Sequence, residues 1–147
     1  SGAFEHDINR PDPSECEDGP AGASPFMTSL LIDALVDYHS LSKDARVVTV
    51  LRKAAAWFEK DARSSDGLAF RYLWNCKTDS YDNTDYVDLN LLIVHVFGAT
   101  YALTGETKWL DLGDTMADAG VEAMYVGRPK QWNQAARAFP RYLGYRA

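Results

Sequence analysis

Residues 30–48 read LLIDALVDYHSLSKDARVV, and residues 92–110 read LIVHVFGATYALTGETKWL. Set one on the other at an offset of 62 residues, Leu30-Leu31-Ile32 falls on Leu92-Ile93-Val94, Leu35 on Phe97 and Leu41-Ser42 on Leu103-Thr104. Asp44 then falls on Glu106, Arg46 on Lys108, Val47-Val48 on Trp109-Leu110, and Ala55 on Ala117. Two amphipathic helices align readily by chance, but a matched turn between them does not follow from amphipathicity. The pattern predicts a repeated antiparallel αα-hairpin and an all-α fold.

Outward from these stretches, Ser24 followed by Pro25 is a helix start. Leu31, Ala34, Leu35 and Tyr38 recur at i, i+3, i+4 and i+7, one face of a first helix over about 25–40. A second helix is expected at about 44–62 with the stripe Val47, Leu51, Ala54, Ala55 and Phe58. Residues 67–76 alternate with period two (Leu68, Phe70, Tyr72, Trp74), which predicts extended chain, a short strand or a hairpin. A third helix, at about 85–103, is apolar nearly all round and therefore central. A fourth is expected at about 107–124. Gly127, Arg128 and Pro129 break the chain, and Pro140 limits a short fifth helix to about 131–139. Residues 1–24, rich in Pro, Gly, Ser and acids, read as an extended acidic arm, and 25–147 as the helical-hairpin domain.

At 147 residues the chain fits one domain that can fold without a metal or cofactor, and none is expected. A net charge of −6 disfavours nucleic acid and anionic lipid as partners. The longest apolar run, Leu91 to Leu103, is shorter than a membrane span of about 20 residues and is interrupted by His95. The charge is uneven: the first twenty residues carry Glu5, Asp7, Asp12, Glu15, Glu17 and Asp18, and the last twenty carry Arg128, Lys130, Arg137, Arg141 and Arg146. The two ends could attract each other, or both could be solvated. No signal-peptide pattern is read, which leaves a trimmed, secreted or periplasmic protein open. Cys16 and Cys76 fit a disulfide or two buried thiols equally.

Pro25-Phe26-Met27 leading into a Leu-rich helix, the turn Leu41 to Val47, the Ala54-Ala55-Ala56-Trp57-Phe58 close and the second copy Leu103 to Leu110 resemble the hairpin of the α/α toroids, the six-hairpin glycosidase-like proteins. The resemblance spans about residues 25–125. It implies part of a toroid whose loops at one end line a cleft, and the activities of that group are glycoside hydrolysis and polysaccharide elimination. A closed toroid has about six hairpins and this chain holds two and a half. No catalytic motif of the family carries over.

The segment from Ala62 to Thr84 is long for a connection in a compact domain. It holds Phe70, Tyr72, Trp74, Asn75, Tyr81, Asp82 and Asn83, with Asp85 just beyond. Rings beside amides and carboxylates suit sugars, whose C–H faces stack and whose hydroxyls need planar donors and acceptors. One repeat later the loop offers Tyr125, Arg128, Trp132 and Asn133, and a hairpin repeat puts both loops at one end. The predicted ligand site is therefore Tyr72, Trp74, Asn75, Tyr81, Asp82, Tyr125, Arg128 and Trp132, unless Phe70, Tyr72 and Trp74 simply cap the core. Asp82 and Asp85 could serve as acid and base, although helix capping accounts for both. Asp79, Asp82, Asn83 and Asp85 lack the spacing of a calcium loop. His39 and His95, at helical positions, read as structural. Three functions follow: a carbohydrate-binding or accessory module taking an oligosaccharide or polysaccharide and not itself an enzyme, part of a toroid hydrolase or lyase, and a protein-interaction domain.

Overall fold

The structure, a computed structural model, describes residues 2–5, 22–74 and 84–147, with the backbone alone for 84–86. Its helices are α1 (Pro25–Ser42), α2 (Ala45–Lys60), α3 (Asn90–Ile93), α4 (His95–Thr104), α5 (Lys108–Ala123) and α6 (Pro129–Arg146), and a 3₁₀ segment (Thr84–Leu89) leads into α3. Val94, between α3 and α4, keeps helical dihedrals (φ −57, ψ −25), so the two make one interrupted rod and the described residues form five helical rods. Among the described residues there is no strand.

The turns carry local chemistry. Lys43 ends α1 in the left-handed region (φ 55), and Gly105 ends α4 at φ 72. Glycine takes that conformation without the roughly 1–2 kcal/mol that a side chain costs there. Asp44 then caps α2, accepting from the Arg46 backbone N–H at 3.0 Å. The Arg46 guanidinium and that N–H hold the Asp44 carboxyl down at about 2.

The predicted stripe of α2 is the buried one: Val47, Leu51, Ala54, Ala55 and Phe58 all face inward. The rod α3–α4 is the centre of the molecule. Every residue from Asp88 to Thr100 is buried, and α4 packs against α1, α2, α5 and α6. The rings of Phe58, Phe70, Phe97 and Trp109 form a continuous aromatic run through this core. The window Val87–Thr104 is 18 residues long with mean hydropathy 1.4, so by length and composition it is apolar enough to cross a membrane, contrary to the shorter run read in the sequence. In this structure it is the core helix.

Helix direction follows from contacts. On α6, Arg137 pairs with Asp33 at 2.7 Å and Arg141 pairs with Asp37. The partner on α1 advances by four residues as α6 does, so α1 and α6 run parallel. Ser29 Oγ donates to the Leu92 carbonyl (3.2 Å) and Asp33 faces His95 across one small cavity, so α1 and α3–α4 also run parallel. The short turns at 43–44 and 105–107 return α2 and α5 in the opposite sense.

Two expectations change outright, the inward face of α1 and the end of the C-terminal helix. Of the α1 stripe Leu31, Ala34, Leu35 and Tyr38, Leu35 packs against the core and the other three look outward. The inward face is Thr28, Ser29, Ile32 and Asp33, because α3–α4 and α6 meet it with a carbonyl and two guanidiniums. The C-terminal helix is long, continuing through Pro140 to Arg146. Both Pro140 and Ala136, whose carbonyl the proline leaves without its helical donor, are exposed, so water can satisfy that carbonyl. The described part of the period-two segment, 67–74, forms no strand and makes isolated antiparallel bridges instead. Arg63 and Phe70 bridge across a tight turn, and Trp74 pairs with Ala23 through both backbone groups (2.8 and 3.3 Å). Arg128, Arg137, Arg141 and Arg146 pair with Asp88, Asp33, Asp37 and Asp114, acids of the helical body. The arm acids Asp7 to Asp18, and both Cys16 and Cys76, lie outside the described residues. Of the arm's start, Ala3 and Phe4 pack against the core.

Candidate functional site

The N-termini of α1, α3 and α6 lie at one end of the molecule because those helices run parallel. There, a pocket of about 160 Å³ is lined by Phe26, Tyr72, Leu89, Lys130, Gln131 and Gln134. Phe26 opens α1 one residue after Pro25. Tyr72 comes from the long connection and stacks on it, with ring centroids 5.9 Å apart and planes inclined at 29°. Lys130, Gln131 and Gln134 come from the first turns of α6. The wall is two half-buried rings, and the rim is two amides and an ammonium.

The sequence-predicted residues distribute unevenly around this pocket. Tyr72 lines it. Trp132 is on the first turn of α6 and half exposed. Tyr125 is exposed, in the turn that Arg128 closes by donating its backbone N–H to the Tyr125 carbonyl at 3.0 Å. The Arg128 guanidinium lies 3.4 Å from Asp88, whose side chain is buried. Trp74 is turned toward the core: it meets the buried Trp57 edge-on at 5.9 Å. Phe70 is wholly core. Asn75, Tyr81, Asp82 and the side chain of Asp85 lie outside what is described, as do Asp79 and Asn83.

Sequence reasoning missed Phe26, Lys130, Gln131 and Gln134. Phe26 reads as a helix-start apolar residue. The two glutamines, three apart, are a surface pattern until α1 is known to lie beside α6. It also missed two buried polar side chains at this end, Asp88 and Asn90. Asn90 Nδ2 donates to the carbonyls of Leu68 (2.9 Å) and Met116 (3.0 Å), tying the long connection to α5. One carboxylate oxygen of Asp88 and the amide oxygen of Asn90 are buried with no partner among the described residues.

A second, more enclosed cavity of about 120 Å³ lies further along, among Leu30, Asp33, Leu92, His95, Gln134 and Arg137. His95 is buried there, and desolvation pushes its imidazole down to about 4 against the pull of Asp33. The ring is neutral at pH 7. Asp33 is held by Arg137 and Arg141, each at 2.7 Å. Among the described residues no cluster of three metal-ligating side chains occurs.

No protein-family model, curated protein or solved structure matches this chain.

Proposed function

We propose that the chain is a carbohydrate-binding or accessory helical module of a polysaccharide-active protein. The observation that carries the reading is the Phe26–Tyr72 pocket with Gln131, Gln134 and Lys130 at its rim. A pyranose offers a C–H face to stack on a ring and hydroxyls that amides satisfy in both directions. Lys130 and the nearby Arg128 favour a ligand carrying a uronate or sulfate through charge-assisted hydrogen bonds.

Titration calorimetry with neutral and uronate-containing oligosaccharides tests this. Tyr72→Ala should weaken binding at least tenfold in protein that is still fully folded at the titration temperature, although the loss of its packing on Phe26 lowers the melting temperature. Trp74→Ala should mainly cost stability, about 2 kcal/mol, less than a fully buried ring would. No binding of any oligosaccharide by the native chain would remove the reading.

A second reading, part of an α/α-toroid hydrolase or lyase, draws support from different observations. Parallel α1, α3–α4 and α6 with returning α2 and α5 is the inner and outer helix pattern of stacked hairpins. Lys43 and Gly105, both left-handed, are 62 residues apart, the repeat offset. In that reading, catalysis needs further hairpins. The third reading, a protein-interaction domain, rests on the outward face of α1.

A further inference from the structure

We propose that the inner cavity between α1, α3–α4 and α6 is a binding subsite for a small neutral group carrying two adjacent hydroxyls. Its position follows from the three parallel helices. The outer pocket takes Phe26 from α1, Leu89 from the 3₁₀ entry to the rod, and Lys130 and Gln131 from α6. Three or four residues further along each element stand Leu30, Leu92 and Gln134, and three further again Asp33, His95 and Arg137. Gln134 lines both spaces and is the wall they share.

The lining excludes most occupants. Asp33 is 5% exposed and His95 2%, so an apolar occupant would leave a carboxylate and an imidazole against hydrocarbon. An anion meets the Asp33 carboxylate, and a cation meets Arg137 and Arg141, each 2.7 Å from Asp33. A neutral hydroxyl incurs neither penalty. It donates to the Asp33 carboxylate or the bare nitrogen of the neutral His95 ring, and it accepts from an N–H of Arg137 or Gln134. Those acceptors stand on α1 and the rod, and those donors on α6, so two adjacent hydroxyls span the walls better than one. Leu30, Leu92 and Ala138 complete the lining with surface suited to C–H edges.

Size limits the group as well. The cavity, at about 120 Å³, is smaller than the roughly 150 Å³ that takes up benzene, so it admits about five heavy atoms and not a whole pyranose. Two molecules present such a group: a free three-carbon polyol, and a sugar whose ring rests in the Phe26–Tyr72 pocket with a hydroxylated arm reaching past Gln134. The second source rests on the carbohydrate reading of the outer pocket. The chemistry of the inner cavity does not.

Histidine ring-nitrogen NMR of the native chain at pH 7, titrated with propane-1,2-diol, tests the proposal. The His95 signals, identified by their loss in His95→Gln, should shift and saturate in the millimolar range, while those of His39 stay in place. Propan-1-ol, with the same carbon chain and one hydroxyl, should bind at least about fivefold more weakly for want of one hydrogen-bonded group. Leu30→Phe and Ala138→Leu fill the cavity from a 40% exposed and a buried position, and each should abolish the His95 shift. Unchanged circular dichroism in Leu30→Phe separates filling from misfolding. No saturable shift at His95, an equal response to propan-1-ol, or a shift that survives in Leu30→Phe would overturn the proposal. A sugar with a glyceryl arm, compared with the same sugar after periodate truncation of that arm, names the source. Weaker binding on truncation in the native chain, but not in Leu30→Phe, assigns the arm, and equal binding assigns the free polyol. The diol titration uses no sugar, so failure of every oligosaccharide to bind removes the reading of the outer pocket and leaves this subsite standing.

Discussion

Among the described residues His95 is a buried, neutral imidazole, and the carboxylates of Asp37, Asp44, Asp66, Glu106 and Asp114 are held low by guanidiniums, hydroxyls or backbone N–H groups. Its folded value of about 4 lies below the unfolded 6.5. Between those values the unfolded chain binds the extra proton, so stability is complete above pH 6.5 and falls as the pH is lowered toward 4. The loss should reach about 2 kcal/mol by about pH 5. The carboxylates named here, all lowered, contribute their own losses further down. Urea unfolding of native protein and His95→Gln across this range checks it. The variant should be flat where the native chain declines, and parallel curves would exclude His95 as the cause.

At the scale of helices, α4, α5 and α6 meet around Tyr142, whose hydroxyl donates to Asp114 and is buried with its ring. Two glycines make room for it. A Cβ on Gly113 would sit 2.7 Å from the Tyr142 hydroxyl and 2.8 Å from its ring, and one on Gly98 would sit 3.0 Å from the ring. Alanine is the better helix former by about 1 kcal/mol, but overpacking a buried, hydrogen-bonded tyrosine costs about 1–3 kcal/mol. Gly113→Ala should therefore lower the melting temperature. Gly144, with nothing within 4 Å of its Cβ position, supplies the contrast. Gly144→Ala should be neutral or stabilising by up to about 1 kcal/mol. Equal effects from the two substitutions would mean that propensity, not the approach to Tyr142, governs this junction.

Among the described residues the molecule is a central rod wrapped by four helices, with ion pairs between α1 and α6 spanning the side where Asp33 is buried. Protection should follow that plan. Native-state hydrogen exchange should find the slowest amides in α4, from Val96 to Thr100, opening only with global unfolding. The amides of α6 before Pro140 should exchange faster, because that half is mostly exposed. Slowest exchange in α2 or α5 instead would show that the core is organised around a different helix.

The sequence by itself determined the helices that have strong periodicity and a matched turn. Residues 44–62 and 107–124 were legible because one apolar stripe, one acidic or small turn and one helix stop agree locally. The all-round apolarity of 85–103 could mean only burial at the centre. What sequence could not decide was which way an amphipathic face points when its partners are distant in the chain. Leu31, Ala34 and Tyr38 carry the helical spacing of a core stripe, yet α1 turns Ser29 and Asp33 inward, because Leu92, Arg137 and Arg141, 63 to 108 residues away, supply their hydrogen-bond and ionic partners. Pro140 likewise reads as a helix end in one dimension, and the exposed position of Ala136 and Pro140, where water can reach the freed carbonyl, makes it tolerable in three. The pocket has the same origin: Tyr72 was legible as an aromatic in a long connection, whereas Phe26, Gln131 and Gln134 became its neighbours because α1 and α6 both pack parallel on α3–α4, which local sequence does not encode.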